Sequence, residues 1–158
     1  MDEKTFYVTK AKLKELEKEH EELVLFENTK VLEQEAPRIL DSEDLNSEFV
    51  SYHEDMDSLR LRINELQDIL EHYALIKNPP KGKQNFIGIG AKVSMDINGK
   101  NNEFTIMGTL EANPVLGMIS NESPVGKAIL GHKVGDEIVV ELPEKTKYKI
   151  KSIKYQVN

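Results

Sequence analysis

The sequence predicts an α+β protein, with an N-terminal antiparallel coiled-coil hairpin followed by a small antiparallel β domain carrying one short helix. Three observations predict this fold class. The first half contains an unbroken apolar heptad series, a Pro-Pro-Lys-Gly segment follows it, and the second half alternates apolar and polar residues around an Asn-Gly turn. We therefore expect the hairpin at residues 1–78, a linker at 79–85 and the β domain at 86–158.

The heptad series lies between Leu45 and Tyr73. Apolar residues recur there in steps of four and three, which is the spacing of the a and d positions of a coiled-coil strand. A helix of about 30 residues would be about 45 Å long, with one apolar face that needs a partner. The members of the series are Leu45, Phe49, Tyr52, Met56, Leu59, Ile63, Leu66, Leu70 and Tyr73.

An earlier helix is predicted to supply that partner. Thr9 is a candidate N-cap, and Pro37 predicts a kink or an irregular end. Because Thr9–Leu40 and Leu45–Leu75 are nearly equal in length, an antiparallel hairpin that turns at Asp41–Asp44 is favoured over a parallel dimer of the second helix. The residues expected on the inner face of the first helix are Leu13, Leu16, His20 and Leu23.

The second half of the chain reads as strands. Asn98-Gly99 is a typical two-residue hairpin turn, and Ser123 followed by Pro124 predicts the capped start of a short helix that ends near Leu130. Further strands are expected in alternating or β-branched stretches, all within one antiparallel sheet. The β pattern begins at Phe86 and continues through the alternating Ala91, Val93 and Met95, and the later strands are Phe104–Leu110, Glu137–Leu142 and Tyr148–Tyr155.

Composition narrows the class of protein. The chain has no cysteine, which excludes disulfides and thiolate chemistry and fits a cytoplasmic location. No apolar run is long enough to cross a membrane, and we expect a monomer without membrane contact. Residues 1–78 carry 10 basic and 20 acidic side chains, whereas residues 79–158 carry 11 and 8. The acidic half should therefore be repelled by nucleic acid except at local basic clusters.

Several segments resemble the bacterial Gre transcript-cleavage factors, GreA and GreB. Gly117–Gly131 with Val134-Gly135-Asp136 resembles the C-terminal signature of that family, Glu111-Ala112-Asn113 resembles its Glu-Ala-Asp, and Arg62–Leu66 resembles its second coiled-coil helix. The resemblance spans nearly the whole chain. It implies an FKBP-like C-terminal domain that docks on bacterial RNA polymerase at the rim of the secondary channel, and a hairpin that reaches the active site.

The resemblance also implies a role for the acidic residues at the hairpin tip. The family carries an acidic pair, three residues apart, that helps to hold a catalytic Mg²⁺ shared with the polymerase active site. Asp41 and Asp44 keep that spacing and become the metal-binding candidates, with Glu43 as a third catalytic carboxylate. Arg38 is the candidate contact to the RNA. From the residues alone, helix capping in a solvated turn explains the same acids.

The register of the tip is open. An ungapped match back from Phe49 aligns Ser42 and Leu45 with the acidic pair of the family, and a match forward from Thr9 aligns Glu43 and Asn46. A shift of one residue is needed to align Asp41 and Asp44. The identity of the two functional carboxylates therefore remains unassigned.

A second candidate site lies in the C-terminal half. Apolar residues flank a turn and a capped helix start, which fits a docking patch better than a plain turn. The residues expected to contact the polymerase are Met118, Ile119, Glu122, Ser123 and Pro124.

The function that the resemblance implies is that of an accessory elongation factor, not an enzyme, which makes RNA polymerase cleave the 3′ end of backtracked RNA. An inhibitor that occupies the same channel is one alternative. A coiled-coil scaffold or chaperone is another. A peptidyl-prolyl isomerase would need an aromatic-lined pocket, and the second half offers only Phe86, Phe104, Tyr148 and Tyr155.

Overall fold

The computed structural model describes residues 3–33, 47–141 and 144–157. The chain forms two compact units. The helical unit is Leu13–His72, and the β unit combines Met1–Lys12 with Tyr73–Asn158. These units divide the chain at positions other than the predicted boundaries, and the first residues of the chain belong to the β unit. The predicted domains 1–78 and 86–158 stay a prediction.

Two long helices confirm the predicted helical half. Helix α1 spans Lys10–Glu33 and helix α2 spans Ser47–Glu71. The Thr9 hydroxyl accepts a hydrogen bond from the Lys12 backbone N–H at 3.2 Å, which makes Thr9 the predicted N-cap. The expected kink near Pro37 and the expected turn at residues 41–44 lie outside the described residues.

The apolar face of α2 follows the predicted series. Met56, Ile63 and Leu66 are buried, and Leu70 is partly buried. Ile69, which is not in the series, is buried as well, so the face is wider than a strict a and d pattern at this end. On α1, Leu16 is buried, while the other three predicted inner residues are partly exposed.

Ion pairs join the two helices of the helical unit. The Arg62 guanidinium binds both carboxylate oxygens of Glu19, at 2.8 and 3.0 Å, and Arg60 binds Glu27 at 2.8 Å. The later residue of α2 pairs with the earlier residue of α1, as an antiparallel arrangement requires. These contacts support the antiparallel hairpin.

The end of the second predicted helix was wrong. The last residues expected in that helix instead form strand β2 (Tyr73–Leu75), which pairs in parallel with strand β1 (Phe6–Val8). The Val8 carbonyl also accepts a hydrogen bond from the Ile76 N–H at 2.9 Å, and Val8 is completely buried. Pairing with β1 therefore gives the backbone N–H and C=O groups of β2 hydrogen-bond partners that a continued α2 would have supplied.

A five-stranded sheet forms the centre of the β unit. Its strands are β3 (Ala91–Ile97), β4 (Lys100–Met107), β5 (Met118–Ser120), β6 (Glu137–Val140) and β7 (Thr146–Tyr155), and the short helix α3 (Pro124–Ile129) packs beside them. The strand order across the sheet is β5-β4-β3-β7-β6, and β3 begins later than the expected Phe86. The core between sheet and helix includes Val93, Met95, Ile106, Ile129 and Ile150.

The expectation of a purely antiparallel sheet was wrong. Strand β5 runs parallel to β4, because the connection between them passes through two 3₁₀ turns, Thr109–Glu111 and Pro114–Leu116, instead of a tight hairpin. The fold is α+β, as expected. The FKBP-like character implied by the resemblance stays a prediction.

Local turn chemistry was predicted correctly. Asn98 and Gly99 have φ values of 53° and 82°, and they join β3 and β4 as the predicted two-residue hairpin. Across the unit, the Tyr155 hydroxyl donates to the Phe86 carbonyl at 2.6 Å and accepts from the Gly88 N–H at 2.7 Å. This side chain ties the end of β7 to the segment that precedes β3.

Within the described ranges, no helix has both the length and the apolar character needed to cross a bilayer.

Candidate functional site

The predicted docking patch centres on a loop at the start of α3, which we call the docking loop (residues 120–124). Ser123 is the N-cap of α3: its hydroxyl accepts from the Gly126 N–H at 3.0 Å and donates to the Ser120 carbonyl at 2.6 Å. Pro124 occupies the first helical position, where no N–H is needed. The predicted cap is confirmed, and the loop is closed by its own hydrogen bonds.

Gly126 allows this closure. A Cβ at this position would overlap the Ser120 carbonyl oxygen and lie 2.9 Å from the Ser123 hydroxyl. The docking loop and the first turn of α3 can therefore approach each other only with glycine at position 126.

Glu122 is exposed at the top of the docking loop, and a neighbouring turn fixes its side chain. The Thr109 hydroxyl donates to the Glu122 carboxylate at 2.7 Å and lies 2.9 Å from the Ser120 hydroxyl. The Glu122 N–H in turn donates to the Ser120 hydroxyl at 3.1 Å. Because a carboxylate accepts only, the ring of bonds runs from Ser120 through Thr109 to Glu122. The loop thus presents a pre-ordered negative charge.

The two apolar members of the predicted patch are less accessible than expected. Met118 and Ile119 are both partly buried, and Ile119 packs against the core of the β unit. Pro124 is exposed, as is Glu122. The structure therefore brings the five predicted residues together along β5 and the docking loop, with its polar end the more open to a partner.

The 3₁₀ turn Thr109–Glu111 connects the docking loop with the start of α1. While Thr109 binds Glu122, the Glu111 carboxylate accepts from the Thr9 N–H at 2.9 Å and from the Thr9 hydroxyl at 2.6 Å. Gly108, just before this turn, approaches the backbone of Tyr7 so closely that a Cβ would overlap the Tyr7 carbonyl. No sequence motif indicates a role for Thr109. At Glu111, the signal in the sequence is the likeness to the Glu-Ala-Asp motif of the family.

Asn113 departs from the Glu-Ala-Asp motif of the family, yet it keeps the acceptor that the position needs. Its side-chain oxygen accepts from the Val115 N–H at 3.2 Å and caps the 3₁₀ turn Pro114–Leu116. An amide oxygen performs this function as well as a carboxylate would. The substitution therefore preserves the turn.

A cavity of about 390 Å³ opens beside β3 and β4. Its walls are mostly aliphatic, and its one charged side chain, Lys92, is paired with Glu103 at 3.3 Å. None of its lining residues is aromatic, unlike the pocket that an isomerase would need. They are Thr9, Ala11, Gly90, Lys92, Thr105, Met107, Met118, Gln156 and Val157.

A second cavity, of about 440 Å³, includes Phe86 and Tyr155 among its lining residues. The Tyr155 hydroxyl is already bonded to two backbone groups, and burial raises the pKa of this phenol. Tyr155 therefore acts as a neutral structural contact in this wall.

The predicted tip residues Arg38, Asp41, Glu43 and Asp44 lie outside the described residues. In the ranges that the structure describes, no group of three or more His, Asp or Glu side chains is arranged to hold a metal ion.

The other two arginines form surface ion pairs. Arg60 and Arg62 bind glutamates across the helix pair, and Arg62 also lies 3.4 Å from Glu65, three residues along. The hydrogen bonds that Arg60 donates to Glu27 and Arg62 donates to Glu19 raise the pKa of each guanidinium. Both arginines are thus used within the helical unit.

The sequences of known proteins are similar to this one along most of the chain. A family model described as "Transcription elongation factor, GreA/GreB, C-term" matches residues 82–155, which include the docking loop. Transcription elongation factor GreA of Thermomicrobium roseum is 34% identical over 141 residues, which cover 88% of this chain and 90% of that protein. This chain belongs to the GreA/GreB family of transcription elongation factors. Transcription elongation factor GreA of Mycoplasma genitalium is 37% identical over 158 residues and covers 94% of each chain.

Among solved structures, GreA factor homolog 1 (Gfh1) of Thermus thermophilus covers 96% of this chain at 23% identity, with a TM-score of 0.42. Membership of the GreA/GreB family confirms the resemblance on which the candidate sites were chosen. It extends over both halves of the chain, because the GreA relatives align with the helical segments as well as with the β unit.

Proposed function

We propose that this GreA/GreB family member binds bacterial RNA polymerase at the rim of its secondary channel and stimulates cleavage of the 3′ end of backtracked RNA. The observation that carries the proposal is the likeness to transcription elongation factor GreA over 88% of the chain, helices included. A protein that only docked would need the β unit alone. The chain acts as an accessory factor, and the polymerase active site performs the chemistry.

The docking loop is the proposed polymerase contact. Its hydrogen bonds hold Glu122, Ser123 and Pro124 in one arrangement, so little conformational entropy is lost on binding. The fixed carboxylate of Glu122 favours a basic partner surface, and charge complementarity of this kind sets orientation and association rate. Met118 and Ile119 form the less exposed side of the same contact.

The acidic tip is the proposed site of metal positioning. Asp41, Glu43 and Asp44 lie in the segment between the end of α1 and the start of α2. Carboxylate oxygens are the donors that Mg²⁺ prefers, and protein sites often supply only one or two of them. Asp41 and Asp44 would hold the ion together with groups of the polymerase. Bound there, Mg²⁺ would activate water and stabilise charge during phosphodiester hydrolysis.

Arg38 lies in the same segment, three residues before Asp41 in the sequence. Its guanidinium would contact phosphates of the extruded RNA, for which its planar donors are suited. Helices α1 and α2 carry 7 basic and 14 acidic side chains, and this excess of negative charge would confine RNA contact to the tip.

RNA cleavage by purified, stalled RNA polymerase tests the proposal. Wild-type protein should accelerate cleavage, and the double variant Asp41→Asn with Asp44→Asn should abolish the acceleration while polymerase binding persists. The change from Asp to Asn removes charge but keeps size. Raising the Mg²⁺ concentration should restore part of the activity, because a weakened site fills by mass action.

Glu43→Gln is the matched control for the register of the tip. If Asp41 and Asp44 are the functional pair, this variant should retain most of the cleavage activity. A larger loss with Glu43→Gln than with the double variant would reassign the register. Wild-type protein that binds polymerase without accelerating cleavage would contradict the proposed activity.

Channel-occupying inhibition is the second candidate function, because an ungapped match does not align Asp41 and Asp44 with the acidic pair of the family. An inhibitor would slow elongation without stimulating cleavage, and the tip variants would relieve the block. The same stalled complexes distinguish the two functions, because cleavage and elongation are measured separately.

A further inference from the structure

The stretch between Glu111 and Glu122 is the longest part of this chain without a charged side chain. It comprises ten residues in a protein of which 31% is charged. Residues 113–116, which include the 3₁₀ turn Pro114–Leu116, are exposed, and the rest of the stretch, β5 included, is partly buried. An uncharged surface is cheap to remove from water, and the cores of protein interfaces are depleted in charge for that reason.

Two apolar side chains project from this stretch. Val115 is 93% exposed and Leu116 is 71% exposed. We call the segment that carries them the apolar turn (residues 113–117). Single exposed apolar residues are ordinary on protein surfaces, but two adjacent ones at the apex of a turn form a convex apolar contact.

The backbone of the apolar turn is closed at its base. Asn113 and Met118 exchange two backbone hydrogen bonds, at 2.7 and 3.0 Å, and the Gly117 N–H donates to the Pro114 carbonyl at 3.1 Å. Gly117 adopts a φ of 72°, and a Cβ there would lie 3.1 Å from the Glu103 carbonyl oxygen. The turn is therefore ordered before any partner binds, although its two large side chains gain no burial from that order.

The apolar turn is continuous with the docking loop. Strand β5 has only three residues, with the turn at its beginning and the docking loop at its end. The Thr105 N–H binds the Gly117 carbonyl, and the Asn121 N–H binds the Met107 carbonyl, so β4 holds both ends. A partner that contacts Glu122 and Pro124 along this edge could also cover Val115 and Leu116.

We propose that the apolar turn is a second contact of the docking site and inserts Val115 and Leu116 into an apolar depression on the protein surface of RNA polymerase. This inference rests on the proposed function. A protein surface is the fitting occupant, because the turn and β5 carry no cation to bind nucleic acid phosphates. Within the combined site, the docking loop supplies charge and the apolar turn supplies apolar burial.

The test compares equilibrium binding of wild-type protein and the variant Val115→Ser with Leu116→Ser to purified RNA polymerase. The Kd should rise about tenfold or more, because each serine removes apolar area that the contact would take out of water. The rate of stimulated RNA cleavage at saturating protein should be unchanged, since the tip is intact. The variant Val115→Ile with Leu116→Met should bind with wild-type affinity, because both side chains stay apolar.

Val139→Ser is the matched control, because Val139 is 51% exposed on β6, outside the docking site. It should bind as wild type does. Thermal unfolding of every variant checks the fold, and Leu116→Ser alone replaces the double variant if the latter unfolds early.

The outcomes separate the two proposals. Absence of binding by wild-type protein would overturn the proposed function and this inference with it. Equal binding by wild type and the double variant would overturn only the inference. Loss of self-association in sedimentation, with polymerase binding intact, would instead make the apolar turn a contact between copies of this chain and would also overturn it.

Discussion

Glu111 completes the N-terminal cap of helix α1 from a position 102 residues later in the chain than Thr9. In a capping box, a Glu or Gln at the third helical position binds the N–H of the cap residue. That position is Lys12 in α1, and lysine has no acceptor. The Glu111 carboxylate takes this role, and its negative charge lies at the positive end of the helix dipole.

We expect Glu111→Gln to lower the free energy of unfolding by about 1 kcal/mol, because the amide retains one acceptor but loses the charge. Urea denaturation followed by circular dichroism measures the change. Glu141→Gln is the control, since Glu141 is exposed. An equal effect of both substitutions would show that the cap contributes nothing specific.

Gly108→Ala should destabilise the β unit through a steric clash with the Tyr7 carbonyl. Gly108 has a φ of −66°, which alanine adopts freely, so backbone strain plays no part. Overpacking of this kind costs about 1–3 kcal/mol. The measurement is the shift in denaturation midpoint relative to Gly82→Ala, because a Cβ at Gly82 meets nothing within 4 Å. Identical midpoints would contradict the close approach.

The ion pair between Arg62 and Glu19 should be detectable in a double-mutant cycle. Arg62→Glu and Glu19→Arg should each destabilise the helical unit, and their combination should recover most of the loss. Both side chains are more than a third exposed, so we expect a coupling of about 0.5–1 kcal/mol. The coupling should shrink at high salt, because screening weakens exposed pairs. A salt-independent coupling would contradict an electrostatic origin.

Asp136 should make stability depend on acid pH. The Lys133 backbone N–H, with help from His132, holds the pKa of Asp136 below its usual range. A carboxyl with a depressed folded pKa contributes stability above its unfolded pKa and loses it as the pH falls through the folded pKa. The difference in unfolding free energy between wild type and Asp136→Asn should therefore be present at neutral pH and vanish in acid. A difference independent of pH would exclude ionisation as its source.

Local chemistry made much of the fold predictable. The Asn98-Gly99 turn and the Ser123 cap depend on neighbours within a few residues. The apolar face of α2 with its buried Met56 and Leu66 follows from the repeated spacing of apolar residues, which the sequence also shows. Strands β1 and β2 were missed because each has three residues and its partner lies more than 60 residues away. The parallel direction of β5 was missed because it depends on the path of the preceding connection.

The candidate site divides in the same way. The capped loop around Ser123 followed from residue types. The hydrogen bond from Thr109 that fixes Glu122 joins residues thirteen positions apart, and it depends on the path of the turns and of β5 between them. No sequence pattern distinguishes Val115 and Leu116, because apolar residues are ordinarily expected to be buried. Only their exposure in the structure marks them as a candidate contact. The roles of Asp41, Glu43 and Asp44 stay predictions.

Strand β1 has a consequence for how the protein is made. The β unit takes Phe6–Val8 from the beginning of the chain and its partner β2 from beyond the helical unit. During synthesis, β1 therefore leaves the ribosome long before β2 has been made. The helices can form before β1 has its partner strand. Closing so long a loop costs little more entropy than closing a shorter one. A fragment that begins after Lys12 would keep every residue of the five-stranded sheet but would leave one edge of β2, and the carboxylate of Glu111, facing water.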